Sequence, residues 1–128
     1  MAAPTNAPEP HVITAPGGAG DSPHWSTTLE GSAYGVEVSY IHLSTTRVDV
    51  GPPLHQHPYP EIILIRQGRA MFTLGSERFV AVAGQTLVIP PDTPHTFRTL
   101  GGGRYESLAL HQSPEFVSEI LEADGGTA

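Results

Sequence analysis

His55 and His57 are separated by a single residue, and Glu61 follows four positions after the second histidine. In an extended chain alternate side chains share a face, so the two imidazoles project together with their Cα atoms about 6.5 Å apart. Long side chains at that spacing can close on one ion, since metal–nitrogen bonds run to about 2.0–2.1 Å. Glu61 opens the run Ile62-Ile63-Leu64-Ile65, which reads as a buried strand. A carboxylate at the mouth of such a strand is costly to bury alone, and a cation removes that cost. A fourth candidate lies far along the chain at His95, after the stiff turn Pro90-Pro91-Asp92-Thr93-Pro94. Three histidines and a carboxylate suit one divalent first-row ion: Fe, Mn, Ni or Zn.

These residues resemble the cupin superfamily. Its first motif runs G-x5-H-x-H-x3,4-E-x6-G and its second G-x5-P-x-G-x2-H-x3-N. His55, His57, Glu61 and Gly68 fall at the spacing of the first, and Gly84, Pro90 and His95 at that of the second. The sequence departs at three points. Only three residues separate Gly51 from His55, Asp92 replaces the inner glycine of the second motif, and Thr99 replaces its asparagine. No ligand is lost. The resemblance implies an all-β fold, a single double-stranded β-helix or jelly-roll barrel, and a metal held by His55, His57, Glu61 and His95.

The elements that must position these groups are short. The 128 residues suffice for one domain, and 14 glycines with 13 prolines fit many short strands better than helices. Strand-like stretches span Trp25–Leu29, Val36–Leu43, Arg69–Leu74, Arg78–Ala83, Thr86–Ile89, His95–Thr99 and Arg104–His111. Turns every seven to ten residues leave no room for parallel-strand crossovers. Residues 1–23, rich in proline and glycine, are expected to be mobile, with the barrel over 24–123 and a fraying tail over 124–128. Within the first segment His11–Thr14 is a candidate edge strand, which the resemblance would allow to pair with a second copy. Ser113 as a cap, Pro114, Glu115 and the apolar stripe Phe116, Val117, Ile120 and Leu121 predict a short C-terminal helix against the barrel.

Parity gives a map of the interior. If Glu61 points inward, so do Ile63 and Ile65; if His95 does, so do Phe97 and Thr99. Arg66 and Arg98 then point away. Met71 and Thr73 join the pocket if their strand keeps register, and His42 either faces it or serves as a structural hydrogen bonder. His111 reads as structural, and His11 and His24 as solvent-exposed. Tyr59, beside the ligands, is a candidate proton donor or a lid aromatic.

Composition excludes other classes. Without cysteine there is no disulfide, thiolate site or cysteine nucleophile, and without lysine no Schiff base. A net charge of −7 argues against nucleic acid, and no apolar run approaches the roughly 20 residues of a membrane helix. The first residues lack the pattern of a secretory signal, so a cytoplasmic protein is expected. A small organic molecule is the expected partner and a homodimer the expected assembly. Dioxygenase chemistry leads, ahead of a redox-neutral isomerase, lyase or cyclase and of a non-catalytic binding module. A cupin regulator carries an added DNA-binding domain, for which this length leaves no space in the present reading.

Overall fold

The computed structural model describes residues 10–16 and 22–121. Ten strands are assigned there: β1 (His24–Leu29), β2 (Ser39–Thr45), β3 (His55–Gln56), β4 (Glu61–Gln67), β5 (Arg69–Leu74), β6 (Glu77–Val82), β7 (Thr86–Ile89), β8 (His95–Thr99), β9 (Tyr105–His111) and β10 (Glu119–Ile120). They form two five-stranded antiparallel sheets, ordered β1-β2-β9-β4-β7 and β10-β3-β8-β5-β6. Strand alternation closes the core between them. Ile63, Ile65, Leu87 and Ile89 face inward from the first sheet, and Ala70, Phe72 and Ala81 from the second. No helix among the described residues is long and apolar enough to cross a membrane.

Two elements differ from the sequence reading. The strand expected from Val36 begins at Ser39, because the chain first makes a 3-10 turn at Gly31–Ala33 and doubles back on Gly31. A Cβ at Gly31 would collide with the carbonyl oxygens of Val36 and Val38. More consequential is the C-terminus, where no helix forms. The chain bends over residues 112–115, Glu119–Ile120 then pairs with His55–Gln56, and the Leu121 amide donates to the Leu54 carbonyl. The unpaired edge of β3 supplies partners that a helix would have left open. Phe116, Ser118 and Ile120 alternate onto the cavity, so the extended chain splits the stripe and leaves Val117 and Leu121 exposed.

The segment His11–Thr14 forms no strand within the chain, though the His11 ring meets Tyr34 edge-on. The expected mobility of residues 1–9 and 17–21 and the fraying of 124–128 fall outside the described residues. The three motif departures are absorbed locally. Gly51 packs so closely on the Phe97 carbonyl that any side chain would clash. Asp92 adopts φ +59°, the left-handed conformation that glycine would take at that point and that aspartate tolerates. Its amide donates to the His57 carbonyl at 2.8 Å, tying the turn before His95 to the His-x-His strand. Thr99 accepts from the Val50 amide at 3.0 Å and donates to the Arg47 carbonyl at 2.7 Å.

Candidate metal centre

Four histidines and one carboxylate meet between the sheets. β3 and the loop after it bring His55 and His57, β4 starts at Glu61, β8 starts at His95 and β9 ends at His111. The strand pairing sets these positions: His55 lies opposite His95, and Glu61 opposite His111. His57 and Glu61 are only 2% and 5% exposed. One ring nitrogen each from His55, His57 and His95 lie within 4.8 Å of one another, as do the ligand atoms of His57, Glu61 and His111.

The hydrogen bonds fix the form of three of the rings. His55, His57 and His95 each donate Nδ1–H to a backbone carbonyl: Pro53 at 2.9 Å, Tyr59 at 2.8 Å and Thr93 at 2.7 Å. In the neutral state Nε2 is therefore left as a bare lone pair, the arrangement of a ligating histidine oriented by its surroundings. Nε2 of His57 and of His95 lie 2.8 Å and 3.2 Å from the same oxygen, Oε1 of Glu61. Lone pairs facing a carboxylate repel unless a proton or a cation stands between them. Buried donors of this set fit a divalent first-row ion, and the protein alone answers the same charge with protons.

The electrostatics follow from that crowding. Burial alone would raise the Glu61 pKa, but His111, His57 and His95 together hold it well below the usual carboxylate range. Burial lowers the affinity of His57 for a proton, yet the bond to Glu61 and the Tyr59 carbonyl outweigh it and raise its pKa. His55 goes the other way, lowered chiefly by burial.

His111 sits apart in its bonding. The Tyr59 hydroxyl accepts from the Val117 amide at 3.4 Å and lies 2.9 Å from His111 Nδ1, to which it donates when the neutral ring carries its proton on Nε2. Nε2–H of His111 then faces Glu61 Oε2 at 3.4 Å. This ring therefore orients the carboxylate from behind. Sequence reading took His111 as merely structural. The signal that would have found it is the alternation Tyr105, Ser107, Ala109, His111 on a strand paired with Glu61. Tyr59 is buried and stacks on His57 with ring centroids 4.3 Å apart, and burial pushes its pKa up.

A cavity of about 280 Å³ opens on this cluster. Of the residues read as pocket walls, Ile63 and Phe97 line it. Ile65 points inward but packs in the core beneath, and Thr99 is spent on the loop bonds described above. Met71 and Thr73 lie off the cavity because Ala70 and Phe72 take the inward phase of β5. His42 also lies outside: Ile41 and Leu43 turn inward on β2, and His42 pairs with Glu106 at 2.7 Å on the outer face. Arg66 likewise approaches Glu106, at 3.9 Å, whereas Arg98 folds back onto the Pro52 carbonyl at 2.7 Å. His24 is not free but bonds Thr45 Oγ1 at 3.0 Å. Walls missed by the sequence reading are Ile41, Leu43, Ser107, Phe116 and Ile120.

The family model of the AraC-like ligand binding domain matches residues 35–128. The chain belongs to that family, and its fold is of the cupin type. The match covers the histidine cluster, the cavity and the extended C-terminal segment alike. The uncharacterized protein MJ1618 of Methanocaldococcus jannaschii is 43% identical over 72 residues, which are 54% of this chain and 58% of that protein. Among solved structures, oxalate oxidase in complex with glycolate superposes with a TM-score of 0.63 at 19% identity, over 79% of this chain and 57% of that one. Lactobacillus farciminis oxalate decarboxylase does so at 0.66 and 19%, over 91% of this chain and 34% of its own. Bacillus subtilis oxalate decarboxylase, described with Mn(II) centres, reaches 0.66 at 16%, over 79% and 29%. At such identities these structures establish the fold. The chain spans little more than half of the relative's length and at most that share of these oxalate enzymes.

Proposed function

We propose that the protein is a metal-dependent cupin that acts on a small organic molecule, with one divalent ion held by His55, His57, Glu61 and His95. The observation that carries the reading is the set of three Nδ1–H bonds to backbone carbonyls, which leaves Nε2 of His55, His57 and His95 free to ligate, those of His57 and His95 at 2.8 Å and 3.2 Å from one buried carboxylate oxygen. When bound, Fe(II) would supply one-electron chemistry with dioxygen, while Mn(II), Ni(II) or Zn(II) would supply Lewis acidity. The chain's own residues do the rest. Ile41, Ile63, Phe97 and Phe116 exclude water from the reacting end, and His111 with Tyr59 holds the carboxylate in place. Tyr59 is kept protonated by burial, so it serves as a donor to His111.

Within that reading a dioxygenase-like, non-haem activity is favoured by the apolar walls, which suit chemistry that water would quench. A redox-neutral isomerase or lyase uses the same ligands. Oxalate finds no cationic side chain there, since all six arginines lie outside the cavity lining and there is no lysine, so the ion alone would have to answer both carboxylates. Metal analysis of protein purified without chelators or added metal tests the first step, with one ion per chain expected and none defeating it. Fe(II)-loaded protein held under nitrogen should then form a nitric oxide adduct. Failure to form it, alongside activity with Zn(II) or Mn(II), would defeat the oxygenase form and leave the redox-neutral one.

A second reading, a ligand-binding module without turnover, is favoured by the family itself, whose model is that of a ligand-binding domain. Tight binding of a molecule that the metal-loaded protein never converts would decide for it. The homodimer expected from the sequence has support on the outer face of the first sheet. Leu29, Tyr40, Leu110, Ile62 and Val88 form one cross-strand row there, with Ile62 40% and Val88 64% exposed. Ile62→Glu should yield monomers in size-exclusion chromatography with light scattering if a second copy covers this row; an unchanged mass would remove it.

A further inference from the structure

β9 turns four residues into the barrel, Tyr105, Ser107, Ala109 and His111, and the charged cluster uses only the last. Ser107 lies in the cavity wall four residues away, opposite Leu43 on β2. A rise of about 3.4 Å per residue puts it about 14 Å from His111 along the strand. The wall between the two is apolar, made by Ile41, Ile63, Ala109 and Phe97. Tyr105, two residues before Ser107 on the same face of β9, belongs to the core rather than to the cavity lining; it is 2% exposed, and its hydroxyl has no hydrogen-bond partner among the described residues. Burial pushes its pKa up to about 12, with the Ser107 side chain opposing the rise. The two hydroxyls thus approach each other without closing a well-formed bond.

A buried hydroxyl left unsatisfied costs about 1–3 kcal/mol, and a native structure retains one where something completes it. An oxygen carried at the end of an apolar molecule can bond the Ser107 hydroxyl in the wall, beside that of Tyr105, while the rest of the molecule fills the apolar space between the poles.

We propose that the cavity has a second polar anchor, the Ser107 hydroxyl in its wall supported by the buried Tyr105 hydroxyl beside it, and that the ligand is an elongated, mainly apolar molecule with a metal-binding head and an uncharged hydroxyl or carbonyl at its far end. The head rests on the metal reading above; the far anchor stands on its own geometry. A carboxylate or phosphate is excluded there because no arginine reaches the cavity.

The probes are straight-chain hydroxamic acids of about four to eight carbons, a span set by the strand rise, each with and without a terminal hydroxyl. They are titrated calorimetrically into the full chain, both Zn(II)-loaded and metal-free. At one chain length the terminal hydroxyl should tighten binding about fivefold, the worth of one net hydrogen bond. In the Ser107→Ala/Tyr105→Phe variant that advantage should vanish, while the plain alkyl probes keep their affinity. A ratio of one at every length in the wild type overturns the anchor, as does an unchanged advantage in the double variant. Should the double variant lose its cooperative melt, Ser107→Ala alone decides by the same criterion. Protein that binds no Zn(II) but keeps the hydroxyl advantage metal-free would sink the metal reading and support the anchor. Zn(II) binding with no hydroxyl advantage at any length would do the reverse.

Discussion

Two histidine–glutamate pairs form on opposite faces of the first sheet, and they could hardly differ more in consequence. His57 and Glu61 approach to 2.8 Å inside the barrel, and His42 and Glu106 to 2.7 Å on its outer face. The distances are alike, but the side chains of the inner pair are 1% and 5% exposed and those of the outer pair 27% and 23%. In the interior each charge must be answered by another, so Glu61 collects three histidines. On the outer face water answers most of it, and among the described residues Glu106 is shared with Arg66 at 3.9 Å. Geometry alone does not make a site; burial converts an ordinary contact into a demand for a cation.

The sharpest way to break this comparison is to neutralise each carboxylate in turn. Glu61→Gln should abolish stoichiometric metal binding and cost the metal-free fold about 3 kcal/mol, because the remaining imidazoles lose their only buried counter-charge. Glu106→Gln should bind one ion like the wild type. Calorimetric metal titration and urea melts of both variants check this, and equal metal binding in the two would dissolve the distinction.

A smaller effect separates the pairs by pH. The folded pKa of Glu61 is depressed, so its contribution to the metal-free fold is present above about 4.3 and lost as pH falls. That of His57 is raised, so its contribution is full below about 6.5 and lost as pH rises through the folded value. Metal-free protein should therefore be most stable at mildly acidic pH. Zn(II) reverses the trend, since ligating histidines must be neutral. At a hundred times its dissociation constant the ion adds about 2.7 kcal/mol. Thermal melts should show a larger gain from a fixed Zn(II) concentration at pH 8 than at pH 5.5; an equal gain at both would point to other ligands.

How much of this was legible in the chain depends on the range of the contacts. His55, His57 and Glu61 are local, so spacing and alternation were enough to group them. His95 was reachable because Pro90-Pro91-Asp92-Thr93-Pro94 marks a rigid turn. His111 was not, since it meets Glu61 only through the pairing of β9 with β4, fifty residues apart, and register across such a distance leaves no local trace. Met71 and Thr73 failed for a related reason. The pairing of β4 with β9 shifts between Ile65 and Gln67, the turn at Gly68 follows, and beyond them Ala70 and Phe72 hold the inward phase. The C-terminal segment misled because four apolar residues within six positions read naturally at a period of 3.6, whereas the vacant edge of β3 favoured an extended chain.

The groups behind the inner pair should matter less than its ligands and more than anything outside. His111→Asn removes both the Tyr59 bond and the contact to Glu61 Oε2 while leaving His55, His57, Glu61 and His95 in place. Partners of this kind typically contribute 10–100-fold to metal affinity. A loss of about tenfold in Zn(II) affinity with stoichiometry kept at one is therefore expected for His111→Asn. Complete loss of the ion would make His111 a ligand in its own right, and no loss would make it idle.

The smallest effect belongs to the outer pair, and it makes the comparison quantitative. His42→Ala breaks a 2.7 Å contact as short as any in the centre and also removes the edge-on packing against Trp25, whose ring centroid lies 4.8 Å away. The freed Glu106 keeps solvent and Arg66. Partly exposed pairs contribute about 0.2–1 kcal/mol, so the urea midpoint should fall by no more than that range implies, and with no change in the slope of the transition. Zn(II) affinity should match the wild type, because the His42 side chain faces away from the cavity wall that Ile41 and Leu43 form. If His42→Ala instead weakened the ion tenfold, the two faces of the sheet would be coupled through β2, and burial alone would no longer explain why one pair makes a site and the other does not.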